Sequence, residues 1–290
     1  MGADLPLHLI EAAQLAQALA ASGAAPPPVI VDCRHDLARP DWGRQEFAAA
    51  HIPGAVYAHL DHDLSGTVTP QSGRHPLPEP ATLAAFLGAA GIDAHTHVVA
   101  YDQDRSMFAA RLWWLLRWLG HERVSVLNGG LAAWRAAQLP LAATSAPRTG
   151  VRFIARPALV RSVTTAEVAR ELEAGQLLLL DARAPDRFAG HNETLDPVAG
   201  HVPGARNRPF AHNLAADGHL QPTAVLAQMW HTVLGDTPPA QVVAMCGSGV
   251  TACHNLLAMQ LAGLPGARLY AGSFSEWIRD PTRKVATGPA

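Results

Sequence analysis

Short runs of apolar residues alternate along the chain with longer stretches in which apolar residues recur at helical spacing. The apolar runs cover residues 29–32, 98–102, 178–181 and 242–246. Continuous apolar runs of this length are typical of strands that are buried on both faces of a parallel sheet. Helical spacing is found at residues 83–87, 109–119 and 251–261. Thr164, followed three residues later by Glu167, predicts the start of another helix.

Four landmarks occur twice, in the same order and at separations of 143 to 150 residues. The matched pairs are 29–34 with 178–183, the His-x-Pro-Gly motifs at His51 and His201, 98–102 with 242–246, and 127–134 with 270–277. The chain is therefore a duplicated domain. Each copy is predicted to be an α/β domain with a mainly parallel sheet and helices on both faces. We assign residues 1–140 to the first domain, the turn-rich residues 141–157 to a linker and residues 158–290 to the second domain.

Composition and net charge exclude several classes of protein. Hydrophobic residues make up 49% of the 290 residues, enough for a sizeable core, and the formal net charge of −2 gives no general attraction to nucleic acid or to an anionic membrane. No apolar stretch approaches the roughly 20 residues that span a bilayer, and the beginning of the chain lacks the pattern of a signal peptide. Three cysteines are too few for a disulfide framework. We expect a cytoplasmic protein in which a cysteine can act as a free thiol.

The two copies differ at the end of the third matched run. The first copy has Asp102 there, whereas the second has Cys246, followed by a glycine-rich turn and a predicted helix. Ligands bind at this carboxyl edge of parallel sheets. Glycines at 247 and 249 allow several backbone N–H groups to turn inward, and the helix adds the positive end of its dipole. Both effects stabilise a thiolate at Cys246.

Two reactions suit a thiolate that is surrounded by amides. Cysteine phosphatases need an arginine six residues after the cysteine, and that position is Ala252 here. The sequence therefore argues against phosphoryl transfer and favours sulfur transfer through a cysteine persulfide.

The loop 246–251, Cys-Gly-Ser-Gly-Val-Thr, resembles the active-site loop of the 3-mercaptopyruvate sulfurtransferases in the two-domain rhodanese family. The resemblance extends to both His-x-Pro-Gly motifs and to both Asp-x-Arg motifs. It implies two tandem rhodanese-like domains, the first of which is catalytically inactive. Relatives that prefer thiosulfate have basic residues after the cysteine, so the neutral Gly247 and Ser248 imply mercaptopyruvate as the donor.

The resemblance also implies how the reaction ends and what else it requires. The acceptor would be a thiol, such as thioredoxin or glutathione, or cyanide, and no cofactor or metal would be needed. A thiosulfate-preferring enzyme and a non-catalytic persulfide carrier are the alternatives.

The resemblance assigns roles to further residues. The backbone of Gly247, Gly249, Val250 and Thr251 would hold the transferred sulfur, and Arg187 would bind the carboxylate of the donor. Relatives have a second arginine at the position of Asp196. Arg206 or Arg208 could replace it, or the donor could differ.

A proton relay is implied in which Ser248 works with His51 and with an acid, for which we select Asp41. Because His201 occupies the matching place in the other copy, His51 could instead cap the Pro-Gly turn.

The remaining candidates are expected to be structural. Cys33 and Cys253 are predicted to lie in the core, and Trp113, Trp114 and Trp118 to pack in the core or against the other domain. The closely spaced histidines at 59, 62, 95 and 97 are predicted to be solvated loop residues, because no cysteine or acidic set completes a metal site.

Overall fold

The computed structural model describes residues 5–21, 26–144 and 148–289. The first four residues, on which the signal-peptide expectation depended, and residues 145–147 of the predicted linker lie outside the described part. The chain divides into two compact units. The first contains Met1–Ser65, Pro78–Leu159 and Ala216–Leu220, and the second contains Gly66–Leu77, Val160–Ala215 and Gln221–Ala290.

The first unit is built on a five-stranded sheet in which every pairing is parallel. Its strands are β1 (His8–Ile10), β2 (Val29–Asp32), β3 (Val56–Tyr57), β4 (Val98–Tyr101) and β5 (Val124–Leu127), in the spatial order β1-β5-β4-β2-β3. Its helices are α1 (Ala12–Ala20), α2 (Trp42–Ala49), α3 (Pro80–Ala89), α4 (Met107–Trp118) and α5 (Gly130–Ala136).

The second unit repeats this topology. Its strands are β6 (Ser162–Val163), β7 (Leu178–Asp181), β8 (Arg206–Asn207), β9 (Val242–Met245) and β10 (Arg268–Tyr270), in the parallel order β6-β10-β9-β7-β8. Its helices are α6 (Thr165–Glu173), α7 (Pro185–Ala189), α8 (Thr223–Leu234), α9 (Thr251–Leu261) and α10 (Ser273–Trp277). The predicted α/β class and its duplication are confirmed.

Burial on both faces explains why the strands of the second unit are continuous apolar runs. Successive side chains of a strand point to opposite faces of the sheet. Accordingly, Leu179 belongs to one core cluster, which includes residues of α6, α7 and α10. Its neighbours Leu178 and Leu180 belong to the cluster on the other face, which includes residues of α8 and α9. Helices therefore cover both faces, and the ends of β7 and β9 lead directly into loops.

The compact units do not follow the predicted boundaries throughout. Residues 66–77, which we placed in the first domain, group with the second unit, and residues 216–220 group with the first. The described residues of the predicted linker pack on the first unit. The Val151 N–H donates to the Gly88 carbonyl, and Phe153 is buried. Within the described residues, none of the helices has both the length and the apolar composition needed to cross a membrane.

Candidate active site

The loop between β9 and α9 places Cys246 at the carboxyl edge of the sheet. Its sulfur accepts hydrogen bonds from the backbone N–H groups of Ser248, at 3.4 Å, and Gly249, at 3.1 Å. Gly249 adopts a φ of +78° and Val250 caps α9, which begins at Thr251. Cys246 is only 3% exposed. The arrangement is the anion-binding nest that the glycine spacing predicts.

Ser273 fixes the cysteine from the opposite side. Its hydroxyl oxygen accepts the Cys246 N–H at 3.1 Å, and its O–H donates to the Tyr270 carbonyl at 2.8 Å. The Phe274 N–H donates to the Cys246 carbonyl at 3.0 Å. Ser273 adopts a φ of +54°, which is unfavourable for a residue with a side chain. The start of α10 therefore holds both backbone polar groups of the cysteine.

Arg187, on α7, is held by two acids. Its Nη2 lies 2.7 Å from Glu193 Oε1 and 3.4 Å from Asp196 Oδ2. Burial tends to raise the pKa of Glu193, but hydrogen bonds from Arg187 and from backbone amides outweigh it and lower the pKa. Burial and the charge of Glu193 raise the pKa of Asp196 despite the arginines beside it. The carboxylate partners of Arg187 in the structure belong to the protein itself, and its role in binding the donor stays a prediction.

The contacts of Arg183 are structural. It forms a buried ion pair with Asp181 at 2.7 Å, donates to the Gly200 carbonyl, and lies 4.2 Å above the Phe274 ring. Arg34 repeats the pairing with Asp32 in the first unit. Arg183 is therefore a structural residue beside Asp181.

The histidine that contacts Ser248 is His75. Its Nδ1 lies 2.7 Å from the Ser248 hydroxyl oxygen, and both residues are buried. His75 follows Arg74, whose guanidinium forms an ion pair with Asp196. Neither residue was selected from the sequence. The available signal was the parallel between Gly73-Arg-His and Gly218-His-Leu, in which the same glycine precedes different chemistry in the two copies.

The contacts of His51 correspond to the alternative that the sequence left open. Its ring stacks on Phe47 at 4.0 Å, and its Nδ1 lies 2.6 Å from the Phe47 carbonyl. His201 makes the same pair of contacts with Phe188, at 3.7 and 2.8 Å. Because both histidines make these contacts, their shared role is to pack the His-x-Pro-Gly turn. The structure shows a contact with Ser248 for His75 and packing contacts for His51, whose assignment to the relay stays a prediction.

Asp41 is exposed where α2 begins, and its side chain makes no capping hydrogen bond. Its assignment as the acid of the relay stays a prediction.

The two arginines proposed to replace the family's second arginine have different surroundings. Arg206 is an exposed residue of β8. Arg208 is buried above the Trp230 ring at 4.8 Å and donates to the Asn213 side chain, and burial lowers its pKa to about 10. Arg74 is the additional guanidinium that the structure brings to the cysteine loop. A Cβ atom built on Gly247 would lie 2.8 Å from Arg74 Nη2 and 3.6 Å from Arg187 Nη2.

In the first unit a carboxylate replaces the thiol. Asp102 accepts hydrogen bonds from the backbone N–H groups of Ser106, Phe108 and Ala109, at 2.9, 2.8 and 3.3 Å. Burial raises its pKa to about 6, although these hydrogen bonds oppose the shift. The loop geometry is thus present in both units, and the second alone carries cysteine at this position.

The other candidates lie mostly in the core. Cys33 and Cys253 are buried, as predicted, and so are Trp113 and Trp114. The prediction of solvated histidines is wrong for His59 and His97, which are buried because tertiary packing covers their loops. In the described part of the chain, one group of three potential metal ligands occurs, formed by His35, His59 and Asp61. Within it, His59 Nδ1 already accepts the Asp61 N–H at 3.1 Å.

Comparisons with known proteins agree with this geometry. The rhodanese-like domain model matches residues 11–137 and 164–280. A Pseudomonas aeruginosa protein named "Probable 3-mercaptopyruvate sulfurtransferase" is 48% identical, over 94% of this chain and 97% of the relative. A bovine thiosulfate sulfurtransferase is 37% identical, over 81% and 80%. The crystal structure of SseA from Escherichia coli superposes with a TM-score of 0.79 at 31% identity, covering 93% of this chain and all of that one. The chain therefore belongs to the rhodanese-like domain family and contains two copies of that domain.

Proposed function

We propose that the protein is a sulfurtransferase that moves a sulfane sulfur from 3-mercaptopyruvate to a thiol or cyanide through a persulfide on Cys246. The observation that carries the proposal is a buried cysteine sulfur that accepts two backbone N–H groups at the start of a helix. Two guanidinium groups face the residue that follows it. Such a site stabilises a thiolate and then the negative terminal sulfur of a persulfide.

The first half-reaction consumes the donor. The Cys246 thiolate attacks the sulfur of mercaptopyruvate, so that an S–S bond forms while the carbon–sulfur bond breaks. The electron pair of the broken bond goes to the methylene carbon, which gives the enolate of pyruvate. The proton of the donor thiol balances this step when it is delivered to that carbon.

Ser248 and His75 supply the path for that proton. The serine hydroxyl adjoins the cysteine, and the 2.7 Å contact connects it with a buried imidazole that can accept and return a proton. Arg187 holds the carboxylate of the donor, which fixes the position of its sulfur. The backbone groups of residues 247–251 hold the sulfur once it has been transferred.

The second half-reaction regenerates the enzyme. An acceptor thiolate attacks the outer sulfur, forms a new persulfide and releases the Cys246 thiolate. Thioredoxin, glutathione and cyanide have the required nucleophilic atom. All three cysteines are free thiols, which agrees with a cytoplasmic location where such thiols stay reduced. The mechanism requires no cofactor, because the sulfur stays bonded to the protein.

Steady-state rates with mercaptopyruvate and thiosulfate test the proposal. We expect mercaptopyruvate to be the better donor, Cys246→Ala to abolish turnover, and Cys33→Ala, which removes a buried thiol from the first unit, to retain it. We expect Arg187→Ala to raise the KM for mercaptopyruvate. Full turnover by Cys246→Ala would exclude this nucleophile, and a preference for thiosulfate would refute the argument from the neutral loop. A one-sulfur mass increase without turnover would indicate a sulfur carrier.

A further inference from the structure

We propose that Arg74 is the second guanidinium that binds the carboxylate of the sulfur donor, and that Asp196 orients it. The assignment rests on the proposed function, which supplies the carboxylate. It goes further by naming a residue from residues 66–77 as a determinant of donor specificity.

The backbone at Arg74 is fixed to the cysteine loop. The Arg74 N–H donates to the Ser275 hydroxyl oxygen at 3.0 Å, and the Ser275 N–H donates to the Gly247 carbonyl at 2.9 Å. The next residue, His75, contacts Ser248. The backbone of residues 74 and 75 is therefore fixed relative to the cysteine loop, and this fixes the point from which the side chain of Arg74 extends.

The guanidinium of Arg74 points to the same place as that of Arg187. Its Nη1 pairs with Asp196, and its Nη2 lies 2.8 Å from where a Cβ atom on Gly247 would be. The nearest guanidinium nitrogen of Arg187 lies 3.6 Å from the same point. The space above Gly247 is thus bordered by two guanidinium groups, which a side chain at 247 would displace.

Exposure separates the cations from the acids that hold them. The side chains of Arg74 and Arg187 are 25% and 20% exposed, whereas those of Glu193 and Asp196 are 2% exposed. An anion that approaches from solvent therefore meets the guanidinium groups, with the carboxylates behind them. A planar carboxylate can bind such a pair through several N–H groups at once.

This arrangement accounts for the acid at position 196. The family resemblance places a second arginine there, and this chain has an aspartate instead. That aspartate pairs with an arginine that lies 122 residues earlier. A second guanidinium group is kept at the site, although it comes from a different segment.

Arg74→Gln tests the assignment in the full-length protein, with Arg279→Gln as the matched control. Arg279 is exposed and contacts the same segment through the Ser72 carbonyl, so its replacement removes an equal charge away from the cysteine loop. We expect Arg74→Gln to raise the KM for mercaptopyruvate at least tenfold with kcat within threefold, and Arg279→Gln to leave both within twofold. Unchanged KM in Arg74→Gln would overturn the assignment.

Alkylation of Cys246 provides a readout that needs no sulfur transfer. The thiolate displaces iodide from iodoacetate, which carries a carboxylate, and from iodoacetamide, which is neutral. With Cys246→Ala as the blank, we expect Arg74→Gln to lower the iodoacetate-to-iodoacetamide rate ratio at least fivefold. Equal slowing of both reagents would show that Arg74 only supports the loop and would overturn the proposal, whatever the wild type does with sulfur donors.

Arg74→Lys keeps the test decisive if the glutamine variant does not fold. Lysine retains the charge but lacks the planar fork. We expect a KM for mercaptopyruvate at least threefold above wild type, with the iodoacetamide rate within twofold. A wild-type KM in Arg74→Lys would contradict recognition of the carboxylate by the fork.

Discussion

Replacing Gly249 by alanine tests whether the exact path of the cysteine loop is needed for chemistry. Gly249 has a φ of +78°, and a Cβ atom there would lie 2.4 Å from the Ala271 carbonyl oxygen. Gly263, just beyond the other end of α9, has a φ of +76°, but its Cβ would meet nothing within 4 Å. The two substitutions thus share the same unfavourable dihedral angle. Only the one at 249 also collides with backbone.

The expected magnitudes differ accordingly. A left-handed conformation costs a residue with a side chain about 1–2 kcal/mol, and both variants lose this from the free energy of unfolding. In Gly249→Ala the loop must also move, which withdraws the N–H that lies 3.1 Å from Cys246 Sγ. A hydrogen bond to a charged group contributes about 1.5–3 kcal/mol. If that interaction is lost in the transition state, the rate falls roughly 10- to 150-fold.

Urea unfolding and steady-state sulfur transfer measure the two effects separately. We expect Gly263→Ala to be destabilised while it keeps kcat within about twofold, because its change touches no residue of the site. We expect Gly249→Ala to be destabilised more and to lose kcat by the larger factor. If Gly249→Ala matched Gly263→Ala in kcat, the two N–H groups would not be the source of anion stabilisation.

Three further predictions concern other parts of the chain. Burial raises the pKa of Asp102 from 3.8 to about 6. The free energy of unfolding of the wild type therefore falls by roughly 3 kcal/mol as pH rises between these values, and we expect no such fall in Asp102→Asn. Urea unfolding from pH 4 to pH 7 checks this, and a difference between variant and wild type that does not change with pH would contradict it. We expect Ser248→Ala and His75→Gln each to lower kcat with mercaptopyruvate about 100-fold. The kcat with thiosulfate should not change, because sulfite leaves without protonation of carbon. Equal losses of kcat with both donors would refute the relay. The side chain of Thr164 accepts the Glu167 N–H in the capping box of α6, so Thr164→Ala should cost about 1 kcal/mol of stability and leave kcat unchanged, as thermal unfolding and rates can show.

The parts of the fold that depend on local pattern were predictable. The helix expected over residues 251–261 is observed with those bounds, and the capping box starts α6 as predicted. The apolar runs at 98–102 and 242–246 form strands that end one residue earlier, where the chain turns into the loops. Periodicity and duplication are properties of neighbouring or repeated residues, so one sequence is enough to read them.

The parts of the site that depend on long-range contacts were not predictable in the same way. The Ser248 hydroxyl meets a histidine 173 residues earlier in the chain, and the backbone of Arg74 is held by a serine 201 residues later. Residues 66–77 contain no helix or strand and no apolar period, so nothing local assigns them to the second unit. The role of Asp196 was not predictable either, because it depends on an arginine that the sequence does not place beside it.

The two loops show that both units build a nest of backbone N–H groups around the residue that follows a central strand, Asp102 in one and Cys246 in the other. The first unit uses its nest for the carboxylate of Asp102, which accepts three backbone N–H groups, and the second uses it for the sulfur of Cys246, which accepts two. The backbone therefore stabilises negative charge in both places. A carboxylate in that position has no sulfur to exchange, which supports the prediction that the first unit is catalytically inactive.

The residues around each nest differ as much as the nucleophile does. The position after the anionic side chain is Gln103 in the first unit, and its amide donates to the His35 carbonyl at 3.0 Å, whereas Gly247 leaves that space to two guanidinium groups. The Asp-x-Arg motif is followed four residues later by Ala38 in the first unit and by Arg187 in the second. In the proposed mechanism, sulfur transfer from a carboxylate-bearing donor uses the thiolate together with the guanidinium groups that the small residue at 247 admits. The first unit has aspartate, glutamine and alanine at the matching positions 102, 103 and 38, so we expect that exchanging Asp102 for a cysteine would supply the nucleophile alone.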